Sequence, residues 1–190
     1  MLSRDFPTWI KVAAPGAMAT LRLTAWRKAM SDITTFLRTD RIACDRLFQR
    51  VEHAVRRRSW LAAFGANARF ENALNQHLLM EEEVLFRALE QYTSDARKPI
   101  AAMLLEHQQL RRVAAGATTA IRRCHAQSFF NSASAFRLMM AEHCMKEEGI
   151  VLAMADHFLR PAARFLVDSM RAVATRSAGD QPLSVTASIG

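Results

Sequence analysis

Glycine and proline are scarce in this sequence, and their scarcity argues against a turn-rich β fold. Only 6 Gly and 5 Pro occur among 190 residues, whereas helix-favouring residues, above all Ala, Leu, Met, Glu and Arg, are abundant. Because 51% of the residues are hydrophobic, the chain is long enough to bury one sizeable core. We therefore predict an all-α protein with a single domain and tails.

Cysteines and long apolar runs are also few. Cys44, Cys124 and Cys144 are far apart in the chain and form no CxxC pair, which argues against a disulfide framework and a structural zinc site. No uncharged apolar run approaches the roughly 18 residues that are needed to cross a bilayer. We expect a cytoplasmic protein that does not associate with a membrane.

Acidic residues are outnumbered, but the excess of positive charge is local. The formal net charge is +8, and residues 1–60 hold 12 Lys or Arg against 5 Asp or Glu, so this segment carries nearly all of it. The triplet Arg56, Arg57 and Arg58 is its densest part. Solvated surface charge explains such a cluster better than a nucleic-acid interface, which spreads along a whole face. We expect no nucleic-acid partner.

The hydrophobic pattern predicts four long helices. Ser31 and Asp32 offer capping oxygens before the first apolar-periodic run, and Pro161 follows the last one. The predicted helices span about 32–57, 59–92, 97–125 and 130–158. Because their connections are short, we predict an antiparallel up-down-up-down four-helix bundle with a short C-terminal helix.

The bundle has flanking segments on both sides. The predicted parts are a basic extension over 1–30, disordered or folded as a loosely docked helix, the bundle over 31–160, a short helix over 161–176 and a disordered tail over 177–190. Pro7, Pro15 and Gly16 interrupt any helix at the start of the chain, and polar residues dominate its end.

Two predicted helices carry the same pair of polar residues. His77 and Glu81 are four residues apart, as are His143 and Glu147, and His107 lies on the helix between them. At 100° per residue, side chains four residues apart differ by about 40° in direction and about 6 Å in height. Both members of each pair can therefore reach one metal ion from one helix face.

The bundle geometry places these residues at one level. With turns near 94 and 125, His77 and Glu81 lie 17 and 13 residues before the first turn and His107 lies 13 after it. His107 and His143 each lie 18 residues from the second turn. Imidazole and carboxylate groups at the centre of a bundle suit iron. The order His-x-x-x-Glu differs from the Glu-x-x-His of ferritin-like bundles, so we do not predict a ferroxidase.

Three segments resemble bacterial hemerythrin-like (HHE cation-binding) domains. They are HLLMEEEVLFRALE at 77–90, LLEHQQLRR at 104–112 and EHCMKEEGIVLAMADH at 142–157. The resemblance covers about 32–160 and implies a four-helix bundle with a non-haem di-iron centre. It implies oxygen binding or transport, or the sensing of oxygen, nitric oxide or redox state. The ligands that it implies are His77, Glu81, His107, His143 and Glu147.

The first helix departs from the family pattern. Members usually carry a histidine in a segment that resembles TDRIACDRLF at 39–48, where this chain has Arg41. With a turn near 59, Arg41 and His77 are each 18 residues from it, so position 41 lies at the level of the centre. His53 lies about 18 Å farther along the helix and cannot substitute.

Arg41 leaves three arrangements open, because a guanidinium cannot ligate a metal and repels one by about 4 kcal/mol per unit of charge at 4 Å. Arg41 swings outward and leaves an open position, it replaces one iron by pairing with Glu81 or Glu147, or the whole site is free of metal and held by salt bridges. These three arrangements correspond to two, one and zero iron ions per chain. Cys44 offers a thiolate on the same face, although a packed free cysteine is the simpler reading.

Two functions from different classes follow. The first is a non-haem iron-binding protein that binds or senses dioxygen, another small diatomic ligand or redox state, with a site altered by Arg41. The second is a metal-depleted helical bundle that acts as a structural or interaction module, its basic N-terminal region docking on an unidentified acidic protein. An enzyme is not expected, because the sequence shows no further acid and base pair to which a reaction can be assigned.

Overall fold

The computed structural model describes the backbone of residues 18–179 and the side chains of residues 33–176. It contains seven α-helices: α1 (Met18–Arg56), α2 (Trp60–Met80), α3 (Arg87–Tyr92), α4 (Arg97–Arg122), α5 (Ala126–Lys146), α6 (Ala153–Phe158) and α7 (Ala163–Gly179). Two π-helical segments, Glu81–Phe86 and Glu147–Leu152, and two 3-10 turns, Ser94–Ala96 and Arg160–Ala162, complete it. The described part of the chain holds no strand, which confirms the all-α prediction.

Four rods form the bundle. The first π-helical segment joins α2 to α3 without a break, and the second joins α5 to α6 in the same way. We therefore call α1 rod 1, residues 60–92 rod 2, α4 rod 3 and residues 126–158 rod 4. The most extensive packing is between α1 and α2 and between α4 and α5. These are the four helices that the hydrophobic pattern predicts.

The same turn closes both hairpins of the bundle. Arg58 and Cys124 have φ angles of 54° and 53°, in the left-handed region. At each of them, the residue's own N–H and that of the following residue donate to carbonyls of the preceding helix and so close its end. In the first turn, Ser59 N–H donates to the carbonyl of Ala54, and His125 N–H donates to that of Ala120 in the second. Because the two turns have the same geometry, residues that face each other across a hairpin lie at the same distances from the turn in both hairpins, which therefore share one register.

That register agrees with helices running in opposite directions. Asp40 contacts His77, and these residues lie 18 positions before and 19 positions after Arg58. Glu106 contacts His143, and these lie 18 before and 19 after Cys124. The predicted antiparallel course explains both contacts.

Two helix boundaries differ from the sequence-based prediction. Helix α1 begins at Met18 rather than near residue 32, so residues 18–30 of the predicted extension are helical. Good helix formers dominate this stretch, and it has neither Gly nor Pro, which explains its conformation. Helix α5 begins at Ala126 rather than near 130, because the His125 side chain caps it by accepting from Ser128 N–H. The predictions for 1–17 and 180–190 lie outside the described residues.

The hydrophobic core has two parts. Near the hairpin turns lies the phenylalanine cluster, whose large members are Phe48, Phe70, Phe129 and Phe136. At the other end lies the aliphatic cluster, with Leu37, Leu85, Leu89, Ile100, Leu159 and Met170 among its members. A layer of buried polar side chains separates the two clusters along the bundle.

Helix α7 covers the open end of the bundle. It is the fifth helix that the sequence predicts, and it packs on α1, α2 and the first π-helical segment. Its buried face carries Leu166, Val167, Met170 and Val173, which extend the aliphatic cluster. Within residues 18–179, no helix has both the length and the hydrophobicity of a membrane span.

Candidate metal centre

The polar layer contains all five residues that the sequence singles out. They are 0 to 1% exposed: His77, Glu81, His107, His143 and Glu147. Rods 2, 3 and 4 supply them, and the phenylalanine and aliphatic clusters close the layer on both sides. The expected common level is therefore present, while the role of these residues as ligands stays a prediction.

Each glutamate of the layer begins a π-helical segment. Glu81 follows α2 directly and Glu147 follows α5, so both His-x-x-x-Glu pairs end where the helix widens. Such widened turns are rare in helices and occur often at functional sites. The extra residue in each turn rotates the helix that follows it. After this rotation Phe86 and Leu152, at the ends of the two segments, are buried in the core.

Glu81 lies between two groups of histidines. Its Oε1 is 3.0 Å from His77 Nε2, and its Oε2 is 3.1 Å from His107 Nε2 and 3.9 Å from His143 Nε2. Ligand atoms of Glu81, His107 and His143 all lie within 4.8 Å of one another. Two atoms that bind one ion at about 2.1 Å and at right angles are about 3.0 Å apart, so these distances suit a shared ion.

The inner atoms lack hydrogen-bond partners. They are Nε2 of His77, His107 and His143, both oxygens of Glu81, and Oε1 of Glu147. His77 Nε2 and Glu81 Oε1 lie close together, but they are not aligned as a hydrogen bond requires. Two ligands of one metal ion have this relationship, because both point at the ion and not at each other. Six buried polar atoms without partners are costly in a folded protein, and a bound cation gives such atoms a partner. The donor set therefore fits a metal ion.

The outer nitrogen of each histidine contacts a carboxylate from a neighbouring rod. The three Nδ1 contacts are His77 with Asp40 at 2.9 Å, His107 with Glu82 at 2.7 Å and His143 with Glu106 at 3.2 Å. An ionised carboxylate only accepts, so each Nδ1–H donates, and in the neutral ring Nε2 keeps its lone pair for the centre. Histidine ligands of metals have this same outer support.

Burial and neighbouring charges shift the pKa values of the residues at the centre. Burial alone lowers the pKa of His77, but the carboxylates of Glu81 and Asp40 outweigh it and raise the pKa to about 10. Burial raises the pKa of Glu81, yet His77 and His107 hold it well below its usual range. Burial and the nearby Glu81 carboxylate raise the pKa of Glu147 to about 8. Metal binding at His77 and Glu147 therefore competes with protons.

Arg41 lies at the edge of the centre on rod 1. Its Nη1 donates to Glu147 Oε2 at 2.7 Å, and its Nη2 donates to Glu148. The side chain is only 15% exposed, so it does not swing out to solvent. The structure therefore differs from the arrangement in which Arg41 swings outward. The contact with Glu147 agrees with both of the others, in which Arg41 replaces one iron or salt bridges hold a site that is free of metal.

Neither nearby cysteine belongs to the donor set. Cys44 is buried one turn from Arg41, and burial together with the carboxylates of Asp40 and Glu81 raises its pKa to about 12. Burial also raises the pKa of Cys144, to about 11. Both are therefore protonated thiols at neutral pH, and Cys44 is a packed free cysteine.

A profile of the hemerythrin HHE cation binding domain matches residues 32–155, which include the whole centre. The chain belongs to this family. Neither a search of curated proteins nor a search of solved structures finds a match. Membership in the hemerythrin HHE family indicates a metal-binding helical protein, and the group Glu81, His107 and His143 is a candidate ligand set for it.

Sequence reasoning found the outer carboxylates of this hemerythrin-like centre only in part, because it did not single out Asp40 or Glu106. It left Glu82 and Glu148 either mostly solvated or as outer supports of the ligands, because neighbours of a ligand point about 100° away on the same helix. In the bundle that direction leads to the adjacent rod, where Glu82 meets His107 and Glu148 meets Arg41. The signal that was available in the sequence was an acidic residue directly beside Arg41, Glu81, His107 and Glu147.

Proposed function

We propose that this protein is a non-haem iron protein that binds dioxygen or responds to redox state. The observation that carries the proposal is the set of six buried, unpartnered ligand atoms, which converge between two apolar clusters. Imidazole and carboxylate donors without a thiolate suit iron, and cations are what the family binds. Bound iron supplies a reversible one-electron change and an affinity for small ligands.

The chain's own residues prepare the centre for this role. The outer carboxylates fix the ring orientation of the three histidines and increase the electron density on each Nε2. The phenylalanine and aliphatic clusters exclude bulk water, which strengthens electrostatic attraction inside the layer. The π-helical turns place Glu81 and Glu147 at the histidine level.

A small apolar cavity beside His77 supports a diatomic ligand. It has a volume of about 40 Å³, its wall is mainly apolar, and Phe70, Leu74, Phe136 and Met140 are among the residues that line it. A water molecule needs roughly 10–15 Å³ on the same measure, so the cavity admits a molecule of two or three atoms. Its apolar wall favours dioxygen or nitric oxide over an ion.

A surface groove leads toward the same cavity. The groove has a volume of about 270 Å³ and shares Arg41, Asp45, Phe136 and Met140 with the cavity wall. The flexible, unbranched Met140 side chain lies between residues of both spaces. We assign no catalysed reaction to the protein, and a reducing compartment such as the cytoplasm suits its free cysteines.

The test is the metal content of the full chain after iron-replete expression, together with the visible spectrum of the aerobic protein. We expect bound iron and an absorption band that His107→Ala removes. His53→Ala is the matched control, because His53 is an exposed histidine of α1 outside the layer. Its iron content is expected to equal that of the wild type.

The competing function is a metal-depleted scaffold, which the ion pair of Arg41 with Glu147 favours. It predicts no bound iron in the wild type and in both variants, and equal thermal stability with and without iron. That result would reject the iron-binding proposal. Iron that survives His107→Ala would show binding elsewhere on the chain and would reject the assignment of the centre.

A further inference from the structure

Three pairs of residues repeat one arrangement around the centre. In each pair, a carboxylate of one rod accepts from the outer nitrogen of the histidine on the next rod. The pairs are Asp40 with His77, Glu82 with His107 and Glu106 with His143. Each carboxylate is the immediate chain neighbour of another residue of the layer or of Arg41. The arrangement therefore predicts a fourth pair between rods 4 and 1.

The fourth pair exists, but an arginine takes the place of the histidine. Glu148 follows Glu147 as Glu82 follows Glu81, and it accepts a hydrogen bond from Arg41 Nη2. Arg41 Nη1 donates inward to Glu147 Oε2 at 2.7 Å. The two guanidinium nitrogens thus meet the outer carboxylate and the centre, as the two ring nitrogens of each histidine do.

Glu81 divides the centre into two sides. The histidine side consists of Glu81 Oε2, His107 and His143, whose inner atoms lie close together and have no hydrogen-bond partner. The arginine side consists of Glu81 Oε1, His77, Glu147 and Arg41. A guanidinium keeps its charge at any physiological pH, so the arginine side always contains a cation.

We propose that the centre holds one metal ion, on the histidine side, and that the Arg41 guanidinium replaces a second ion. The proposal rests on the metal-binding function proposed above. Arg41 occupies one oxygen of Glu147 and repels a second cation at the distance of a direct ion pair. A centre with one iron exchanges one electron at a time, which favours redox response over the storage of dioxygen.

The stoichiometry of bound metal tests this proposal. The full chain is loaded under argon with Fe²⁺, and separately with Zn²⁺ as an ion without redox chemistry, and metal per chain is measured after removal of the excess. We expect about one ion per wild-type chain and about two per Arg41→His chain. Arg50→His is the matched control, because Arg50 is an exposed arginine of α1 away from the centre, and it should keep one ion.

Two histidine variants test the side on which the ion lies. His143→Ala removes a donor of the histidine side, and we expect the Zn²⁺ affinity to fall at least about tenfold. His77→Ala removes a donor of the arginine side, and we expect the Zn²⁺ affinity to fall less than it does in His143→Ala. Competition with a colorimetric chelator measures both affinities, and circular dichroism checks that the variants remain helical. The reverse order of effects would overturn the placement of the ion.

The outcomes separate this inference from the function on which it rests. Two ions per wild-type chain would overturn the one-ion proposal and leave the metal-binding function standing. One ion in both the wild type and Arg41→His would overturn the role of Arg41 as a substitute cation. No ion in the wild type would overturn the proposed function, and the one-ion proposal with it.

Discussion

Glu106 is the chain neighbour of His107, yet its carboxylate contacts His143 on the next rod, with 3.2 Å between Oε2 and Nδ1. The contact reaches from α4 to α5 and supports the ring from its outer side. Lys146 approaches the other oxygen of Glu106 and keeps this carboxylate ionised, so that its pKa is below the usual range. Glu106 is thus a positioning residue of the centre.

Glu106→Gln is expected to weaken metal binding without removing a ligand. The amide keeps the shape of the side chain but loses the charge that makes the imidazole a stronger donor. Loss of such outer partners weakens metal affinity by about 10- to 100-fold. Chelator competition with Zn²⁺ measures the change, and Glu142→Gln, an exposed neighbour of His143, serves as the control. Equal affinities of the two variants would argue that the contact has no role in binding.

Metal binding is expected to stabilise the fold. A metal at 100 times its dissociation constant adds about 2.7 kcal/mol, which corresponds to about 5–11 °C in Tm for a chain of this size. The buried donors explain the effect, because a bound cation gives a partner to atoms that otherwise have none. Differential scanning calorimetry with Zn²⁺, and again after chelation, measures it. The shift should vanish in His107→Ala, and an equal shift in that variant would place the ion elsewhere.

Phe48→Ala is expected to cost about 3–5 kcal/mol of unfolding free energy. The Phe48 ring is 1% exposed, and its centroid lies 4.7 Å from that of Phe70 and 4.9 Å from that of Phe136. Its loss leaves a cavity at the middle of the phenylalanine cluster. Urea unfolding measures the change, with Leu61→Ala as a control that is 88% exposed and should lie within about 0.5 kcal/mol of the wild type. A loss below about 1 kcal/mol in Phe48→Ala would contradict the packing.

The metal-free protein at pH 8 is expected to show one fast thiol per chain. Cys124 is exposed at the turn between α4 and α5, whereas Cys44 and Cys144 have pKa values raised to about 12 and about 11. Thiolate is the reactive form, so only Cys124 reacts quickly with a disulfide reagent such as 5,5′-dithiobis(2-nitrobenzoic acid). Cys124→Ser should abolish the fast phase, and a fast phase that persists would place a reactive thiolate elsewhere.

The sequence predicted the level of the centre better than its surroundings. Helical spacing and short turns suffice to bring His77, His107 and His143 to one depth, because height along a helix depends only on residue count. Contacts between rods depend on rotation as well, and a widened turn changes that rotation without a signal in the hydrophobic period. The π-helical segments at Glu81 and Glu147 were therefore not predicted.

The start of the first helix and the direction of the Arg41 side chain could not be predicted from the sequence either. Proline and glycine at the start of the chain suggested that the extension continues to residue 30, but nothing after Gly16 breaks a helix, and α1 begins at Met18. The conformation of Arg41 was also undetermined, because a long side chain reaches either solvent or the centre. Glu147 and Glu148, which both accept from Arg41, fix its direction.

The most direct test is the position of the metal itself. Crystals of the iron-loaded full chain, measured at the iron absorption edge, give an anomalous difference map that locates each iron atom. The account predicts one strong peak per chain, between Glu81, His107 and His143, with the Arg41 guanidinium next to Glu147. Peaks confined to the protein surface, with the interior free of metal, would contradict it.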